Sequence, residues 1–456
     1  MKAGSGPMFC PGKNDRQVER RRVMGVFGRH GLAVLMLLAT RSALAQEALQ
    51  NSLAGDAAAE SRSQAMGSPQ VSQDYTFKQG DFRLLLMPAM GLDWNDNVNL
   101  SKTNALEDVI VMPSLGITLS YPFSENNLLY LNLAVGYDWY LNHPAWSSFD
   151  LNSTSGTGLS FDIDVKDITI NLHDWISYVQ GLGQNASVAN TASSTVANSA
   201  TYGTIQNTAG LSATWDLNQV KLSLGYDHQN VLATSSQFSQ INHASEMLFA
   251  RAGLQVHPKV TTGLESTAAF TAYDENLLND NNTYTVGPYC EFRPDAFFKI
   301  TVRGGYSTYQ FQNTSTVIQT ASQNSWYAGL TISHQATEFL TYSLEAGRES
   351  QFGVQSDLVE DWYVRPTLTW RVITGLDLLT SFFYEHGNQG VGSVGSLPGG
   401  SNETYDWYGG GLSLQHALTS RLTLGLTYRI TVRSSSGLND SYVQNLAGLQ
   451  ITYRPQ

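Results

Sequence analysis

The stretch RLTLGLTYRITVR, residues Arg421 to Arg433, decides the fold. Leu422, Leu424, Leu426, Tyr428, Ile430 and Val432 recur at every second position, with Arg421, Thr423, Gly425, Thr427, Arg429, Thr431 and Arg433 between them. A β-strand sends successive side chains to opposite faces, so this segment has one apolar face and one polar, cationic face. A soluble sandwich also alternates, but its strands usually run about 5–6 residues. Long dyad strands divided by turns mark a transmembrane β-barrel.

The same rhythm runs from Phe82 to Arg454. It predicts an all-β, antiparallel up-and-down transmembrane barrel of about 18 strands, with about 16 as the alternative, over residues 82–456. The strands fall near 82–94, 109–121, 127–140, 155–165, 168–180, 202–217, 220–231, 244–256, 259–273, 282–293, 296–311, 323–334, 338–350, 360–372, 375–386, 404–416, 420–433 and 441–454. Short turns such as Lys166-Asp167, Asn218-Gln219 and Pro294-Asp295 alternate with long polar loops such as Asn95 to Asp108, Gly181 to Thr201 and Asn388 to Glu403. Outer-membrane barrels keep short turns on the periplasmic side, so both termini are expected there.

Other strands give the same two faces. Leu129, Leu131, Leu133, Val135, Tyr137 and Trp139 are expected to face lipid, as are Phe298, Ile300 and Val302, and Trp362, Val364, Leu368 and Trp370. Pro88, Pro113, Pro288 and Pro366 lack a ladder donor inside strands, which predicts local bulges. Asp174 and Arg348 fall on the lipid face in this register; a bulge or a position above the apolar band would accommodate them.

The N-terminus reads as a secretory signal peptide over residues 1–45. Arg20, Arg21, Arg22 and Arg29 precede an apolar stretch from Gly31 to Thr40 and the cleavage pattern Ala43-Leu44-Ala45. Residues 46–81, rich in Ala, Ser and Gln, read as a disordered periplasmic arm. Removing the signal takes eight of the 26 basic and two of the 38 acidic residues and leaves a net charge of −18, which argues against nucleic acid as a partner. The single cysteine left, Cys290, cannot form an internal disulfide.

Three segments at the start of the barrel carry a recognisable layout: PAMGLDWNDNVNL (Pro88 to Leu100), EDVIVMPSLGITLSY (Glu107 to Tyr121) and LLYLNLAVGYDWYL (Leu128 to Leu141). The layout resembles the β-barrel porin-2 group of outer-membrane proteins, through Asp96-Asn97-Val98, Asp108, and Pro113 with Leu115. Members of that group often accompany exopolysaccharide production, so the resemblance implies a place at the outer end of a glycan secretion route. The chain ends Tyr453-Arg454-Pro455-Gln456, with its aromatic three residues short of the terminus, where many barrels carry the residue read by the assembly machinery.

Barrels of about 16 to 18 strands leave a water-filled lumen, so function turns on inward positions. Lys299, Arg303, Arg365, Arg371, Arg421, Arg429 and Arg433 form an expected basic wall, and Asp162, Asp164, Asp216, Asp227 and Glu265 an expected acidic wall. Opposed walls would sort polar and ionic solutes; pairing between the charges would merely solvate the lumen. Tyr130, Tyr140, Trp175, Tyr289, Tyr363 and Trp407 are inward aromatics that suit either a sugar path or wall packing. No G-x-S-x-G elbow, H-E-x-x-H or paired-cysteine motif occurs, so no catalytic residue, metal or cofactor is expected. The first reading is a porin-like path for small polar solutes or saccharides, with outer-membrane lipid and the barrel assembly machinery as partners and a homo-oligomer as an option. The second is a non-conducting barrel that anchors an envelope complex; a lipid-modifying enzyme ranks third.

Overall fold

A computed structural model describes residues 75–124, 127–152, 158–180, 196, 197, 199, 202–317, 319–393, 403–437 and 439–455. The expected signal peptide and most of the expected arm lie outside these residues.

The strands are β1 (Phe77–Gln79), β2 (Phe82–Asn95), β3 (Asp108–Ser124), β4 (Asn127–Tyr140), β5 (Ser148–Asn152), β6 (Leu159–Val165), β7 (Ile168–Gln180), β8 (Gly203–Asp216), β9 (Val220–Ala233), β10 (His243–His257), β11 (Val260–Tyr273), β12 (Asn281–Phe292), β13 (Phe298–Phe311), β14 (Gln323–Thr337), β15 (Leu340–Gln351), β16 (Ser356–Ile373), β17 (Leu376–Ser393), β18 (Glu403–Ala417), β19 (Leu422–Ser435) and β20 (Tyr442–Tyr453). Apart from β5 and β6, each pairs antiparallel with its sequence neighbours, and β2 closes the sheet on β20 from Ala89↔Thr452 to Asn95↔Leu446. Strands β5 and β6 both lie between β4 and β7 and form one wall position in two pieces. The wall therefore has 18 positions, and the barrel is closed.

Strand β1 belongs to the end of the segment expected to be disordered. It turns at Gly80 (φ +60°) and pairs with Phe82–Leu84 of β2, beyond the point where β20 stops. It thereby covers the stretch of β2 edge that β20 leaves open, as exposed strand edges require.

The outward positions carry the apolar side chains. Leu224, Leu264 and Phe382 are about 60% exposed in the protein alone, a state that only lipid makes favourable. Trp94, Trp139, Trp326 and Trp362 face outward near the long-loop ends, and Trp215 and Trp370 near the short-turn ends, giving two aromatic belts. Leu426, Tyr428 and Ile430 are exposed, while Thr431 and Arg433 are buried, so the opening stretch has the two faces its sequence shows. Tight turns close the other end, helped by left-handed backbone at Lys166, Asn218 and Gly375.

The prolines do not make bulges. At Pro113, Pro288 and Pro366 the ladder on one side lapses for two residues and resumes in the same register, for example Val286↔Tyr306 then Tyr289↔Arg303. A missing donor removes a bond, but it does not require an inserted residue. Pro88 sits next to Ala89, where β2 parts from β20.

The long-loop ends of β15, β16 and β17 depart from the plain cylinder. The β14–β15 ladder stops at Ala328↔Arg348, although β14 continues to Gln323 and β15 to Gln351. Beyond that point β15 pairs only with β16, through Glu349↔Asp361 to Gln351↔Val359. A wall strand buries one face and exposes the other, but Glu349, Ser350, Gln351, Phe352, Val354, Ser356, Asp357, Leu358 and Val359 are all buried. Both faces are therefore covered, and this hairpin end folds inward as a flap. The flap is built from residues 349–359.

Arg348 marks the split. Its guanidinium donates to the Trp326 carbonyl and to Ser325 Oγ at 3.0 Å, stacks on the Trp326 ring at 4.5 Å, and pairs with Glu360 at 2.9 Å. The side chain thus replaces ladder bonds that β15 no longer supplies. It does face outward, and it is eight residues above the start of β15. At about 3.3 Å per residue and a tilt of about 40°, that height is roughly 20 Å, in the long-loop part of an apolar band about 25 Å tall. Asp174 also faces outward and accepts from Asn207 Nδ2 at 2.6 Å.

Candidate functional site: the barrel lumen and its covered long-loop mouth

Aromatic rings, glycines and arginines organise the inner wall by one repeated device. Tyr289 lies across Gly263, Tyr327 across Gly287 and Gly305, Tyr363 across Gly347, and Tyr405 across Gly387. A Cβ on any of these glycines would strike the ring, so glycine lets each tyrosine lie flat along the neighbouring strand. Arginines then cover the rings: Arg251 over Tyr289 at 3.9 Å, Arg365 over Tyr363 at 4.4 Å and Arg433 over Tyr405 at 5.0 Å.

Each cation also meets an acid. Arg433 bonds Glu403 at 2.6 Å and donates to the Asp440 carbonyl. Arg365 lies 3.5 Å from Glu385, which accepts from Tyr405 Oη at 3.0 Å. Arg371 bonds Asp377 at 3.1 Å near the short-turn end, and Lys299 lies 3.7 Å from Glu291, which also holds Arg251 at 2.8 Å. Arg303 and Arg251 both act on Glu265, which accepts from Tyr327 Oη at 3.1 Å. Arg429 faces Asp93 across the closing seam. Arg421 is not on the inner wall: it is exposed in the β18–β19 turn, where its amide donates to Thr419 Oγ1. Strand β19 begins one residue later, at Leu422, so the dyad does not govern Arg421.

The acidic positions divide likewise. Asp162 accepts from Asn171 Nδ2 at 2.6 Å, and Asp227 meets His173 Nε2 at 3.1 Å; both are buried in the lumen. The His173–Asp227 bridge crosses Gly210 of β8, where a Cβ would collide with both partners. Asp164 accepts from Thr169 Oγ1 at 2.6 Å at the short-turn end. Asp216 is exposed there as the last residue of β8 and accepts from the Asn218 amide at 2.9 Å, so it is a turn residue. His173 is engaged through both ring nitrogens, by Asp227 and by Asn171 at 2.8 Å, so it activates no hydroxyl.

Acids absent from the sequence-based set complete the C-terminal wall: Glu349, Asp361, Glu385, Glu403 and Glu291. Their signal was available, because Asp361 has the same parity as Arg365. The charges of this wall are interleaved, acid beside base on neighbouring strands. Of the inward aromatics, Tyr289 and Tyr363 are covered by arginines, Trp175 stacks on His173 at 4.6 Å, and Tyr140 packs with Val98 and Ile110. Trp407 packs against Phe383 and donates to Tyr442 Oη at 3.2 Å. Tyr130 is half-buried on β4.

The long-loop mouth has its own small core. Leu100, Val196, Tyr202, Phe238, Ile241 and Val354, from connections round the barrel, cluster with Tyr442 at the start of β20. Val354 is the flap tip, and its carbonyl accepts from Gln240 Nε2 at 3.2 Å. Asp357 of the flap accepts from the Asn279 amide at 2.9 Å, from Asn279 Nδ2 at 2.7 Å and from Thr320 Oγ1 at 2.5 Å.

The motif residues serve the same mouth. Asp96 accepts from the Asn445 amide and side chain at 2.6 and 2.7 Å, tying the first loop to β20 across the seam. Asn97 donates to the carbonyls of Ser101 and Val443 at 2.8 Å. The Asp108 carboxylate, fully buried, accepts from the Asn142 and His143 amides at 2.9 Å and meets His143 Nδ1 at 2.8 Å.

A closed 18-position barrel with an apolar exterior and a charged interior is a transmembrane β-barrel of the outer-membrane type. No family model matches the sequence, and no curated protein matches it. Among solved structures the chain is similar to Pseudomonas aeruginosa OccK2 (OpdF) in complex with glucuronate, at 9% identity and a TM-score of 0.45, covering 82% of this chain and 98% of that one. It is also similar to a BenF-like porin from Pseudomonas fluorescens Pf-5, at 9% identity and a TM-score of 0.46, over 82% and 99% of the two chains. Acinetobacter baumannii OccAB2 aligns at 12% identity and a TM-score of 0.45, over 82% and 99%.

Proposed function

We propose that the barrel is a porin-like outer-membrane channel for small polar solutes or saccharides, with both termini in the periplasm and the flap at the outer mouth. The observation that carries this reading is the charged inner wall of an 18-position cylinder, which is wide enough to hold water between its walls. A packed small barrel would fill this space with apolar side chains. A link to exopolysaccharide export rests on the resemblance of the first three strands alone.

The cluster at the outer mouth favours a second reading, a closed barrel that anchors an envelope complex. Planar-bilayer recording of the refolded protein separates the two. Ohmic single-channel steps support a path. Silence that persists after deleting residues 46–74, and again after shortening the flap at residues 352–355, supports the anchor and ends the channel reading.

A further inference from the structure

Strands β14 and β15 part before they end. Beyond Ala328↔Arg348, Trp326 and Tyr327 on one strand and Glu349 and Ser350 on the other stand outside the ladder between them. Side chains span the seam instead. Ser350 Oγ donates to Ser325 Oγ at 3.0 Å, and Arg348 reaches across to Ser325 Oγ at 3.0 Å and to the Trp326 carbonyl. Arg348 also pairs with Glu360 of β16 at 2.9 Å, and Glu360 accepts from Ser325 Oγ at 3.0 Å. A sheet in lipid is held shut by its ladder, because an unpaired peptide group is costly there. At this seam only side-chain bonds remain to be broken, and the Glu360 side chain is 41% exposed, so its ion pair is a weak latch.

Apolar surface lies on both sides of the seam. Outside, Trp326 and Trp362 are half-exposed and meet edge to face at 5.5 Å. Inside, Tyr309 and Phe311 of β13 pack with Phe352 and Leu358 of the flap. Tyr309 Oη donates to the Ser350 carbonyl at 3.4 Å, which places this cluster directly behind the seam. The inner wall beside it is charged, through Glu349, Asp361, Arg365 and Glu385.

We propose that the β14–β15 seam is a lateral passage by which a single-chain amphiphile with a carboxylate head moves between the membrane and the inside of the barrel. The head displaces Glu360 from Arg348, since a guanidinium pairs with any carboxylate in the same geometry. The serine bridge then parts, and the tail slides between the outer tryptophans and the inner cluster without crossing the charged wall. This inference goes beyond the channel reading and holds whether or not the barrel conducts.

The probe is dodecanoic acid with a terminal diazirine, added to phosphatidylcholine vesicles that contain the refolded barrel, and the matching dodecanol is its neutral control. Photolabelled residues are read by mass spectrometry. The acid is expected to label Phe352 and Leu358 at least fivefold more than the alcohol does, while both label the outward face alike. Ser325→Cys with Ser350→Cys, once oxidised, should cut the inner label at least fivefold, and dithiothreitol should restore it. Glu360→Gln, which removes the carboxylate of the latch, should raise the inner label at least twofold and serves if the cysteine pair does not fold. Circular dichroism and heat-modifiable migration confirm folding in each variant. Three outcomes overturn the proposal: no inner label, equal inner label from acid and alcohol, or inner label unchanged in the oxidised pair or in Glu360→Gln. A barrel that passes this test and stays silent in planar bilayers keeps the passage and loses the channel.

Discussion

Two residues show how the inner wall is held. Arg433 and Glu403 are both almost fully buried, and their 2.6 Å bond is reinforced by stacking on Tyr405. Removing one partner strands a charge where water does not reach it. Arg433→Met is therefore expected to destabilise the barrel by about 3–5 kcal/mol, and adding Glu403→Gln should recover part of that loss. Urea unfolding in phospholipid vesicles measures both, and a near-neutral single variant would refute the coupling. Gly210 is a different case. It bears no interaction of its own, but it leaves the space through which His173 reaches Asp227. Gly210→Val should cost about 1–3 kcal/mol by overpacking. Gly210→Val combined with Asp227→Ala should be milder, because the nearest colliding atom, Asp227 Oδ1, is gone; equal losses in the two variants would contradict this account.

At the scale of the element, the long strands were legible because they carry a dyad pattern for a dozen residues or more and end at turn residues; β5, with 5 residues, was too short to be read, and β6 has only 7. The flap was not legible either. Residues 351–359 read as a connection between the strands expected at 338–350 and 360–372; what makes them a flap is the partners that cover both faces, and pairing with distant loops leaves no periodic trace. One sign was present: Phe352, Val354, Leu358 and Val359 put four apolar residues where a solvated outer loop would be polar. The positions of Arg365 and Arg433 were legible from parity, whereas their acidic partners depend on which strands meet and in what register. The split at Arg348 also yields a prediction. Ser350 Oγ lies 3.0 Å from Ser325 Oγ across the parted β14 and β15. The pair Ser325→Cys with Ser350→Cys should oxidise to a disulfide that fixes the flap to the wall. If the flap gates the mouth, oxidation should cut single-channel open probability at least fivefold and dithiothreitol should restore it. A disulfide that forms and leaves conduction unchanged would show that the flap does not gate.

For the whole molecule, the arrangement of charge matters more than its total. Two opposed walls would set a field across the pore, whereas interleaved pairs cancel at distances beyond their spacing, and screening reaches about 10 Å at 0.1 M salt. The interleaving predicts weak ion selectivity in the native protein despite many lumen charges. It also predicts where selectivity can be created. Replacing Arg365, Arg429 and Arg433 with Glu changes each position by two charges and leaves Glu385, Asp93 and Glu403 without their cations. Like charges then line three successive regions of one wall, and a ring of carboxylates favours cations in the pore. Reversal potentials in a potassium chloride gradient should lie near zero for the native barrel and move clearly toward the potassium equilibrium potential for the triple variant. Arg421→Glu provides the internal control, because that residue lies in the exposed turn and its substitution should shift the potential far less than any of the three. A triple variant that folds, conducts and keeps the native reversal potential would show that these arginines do not border the ion path.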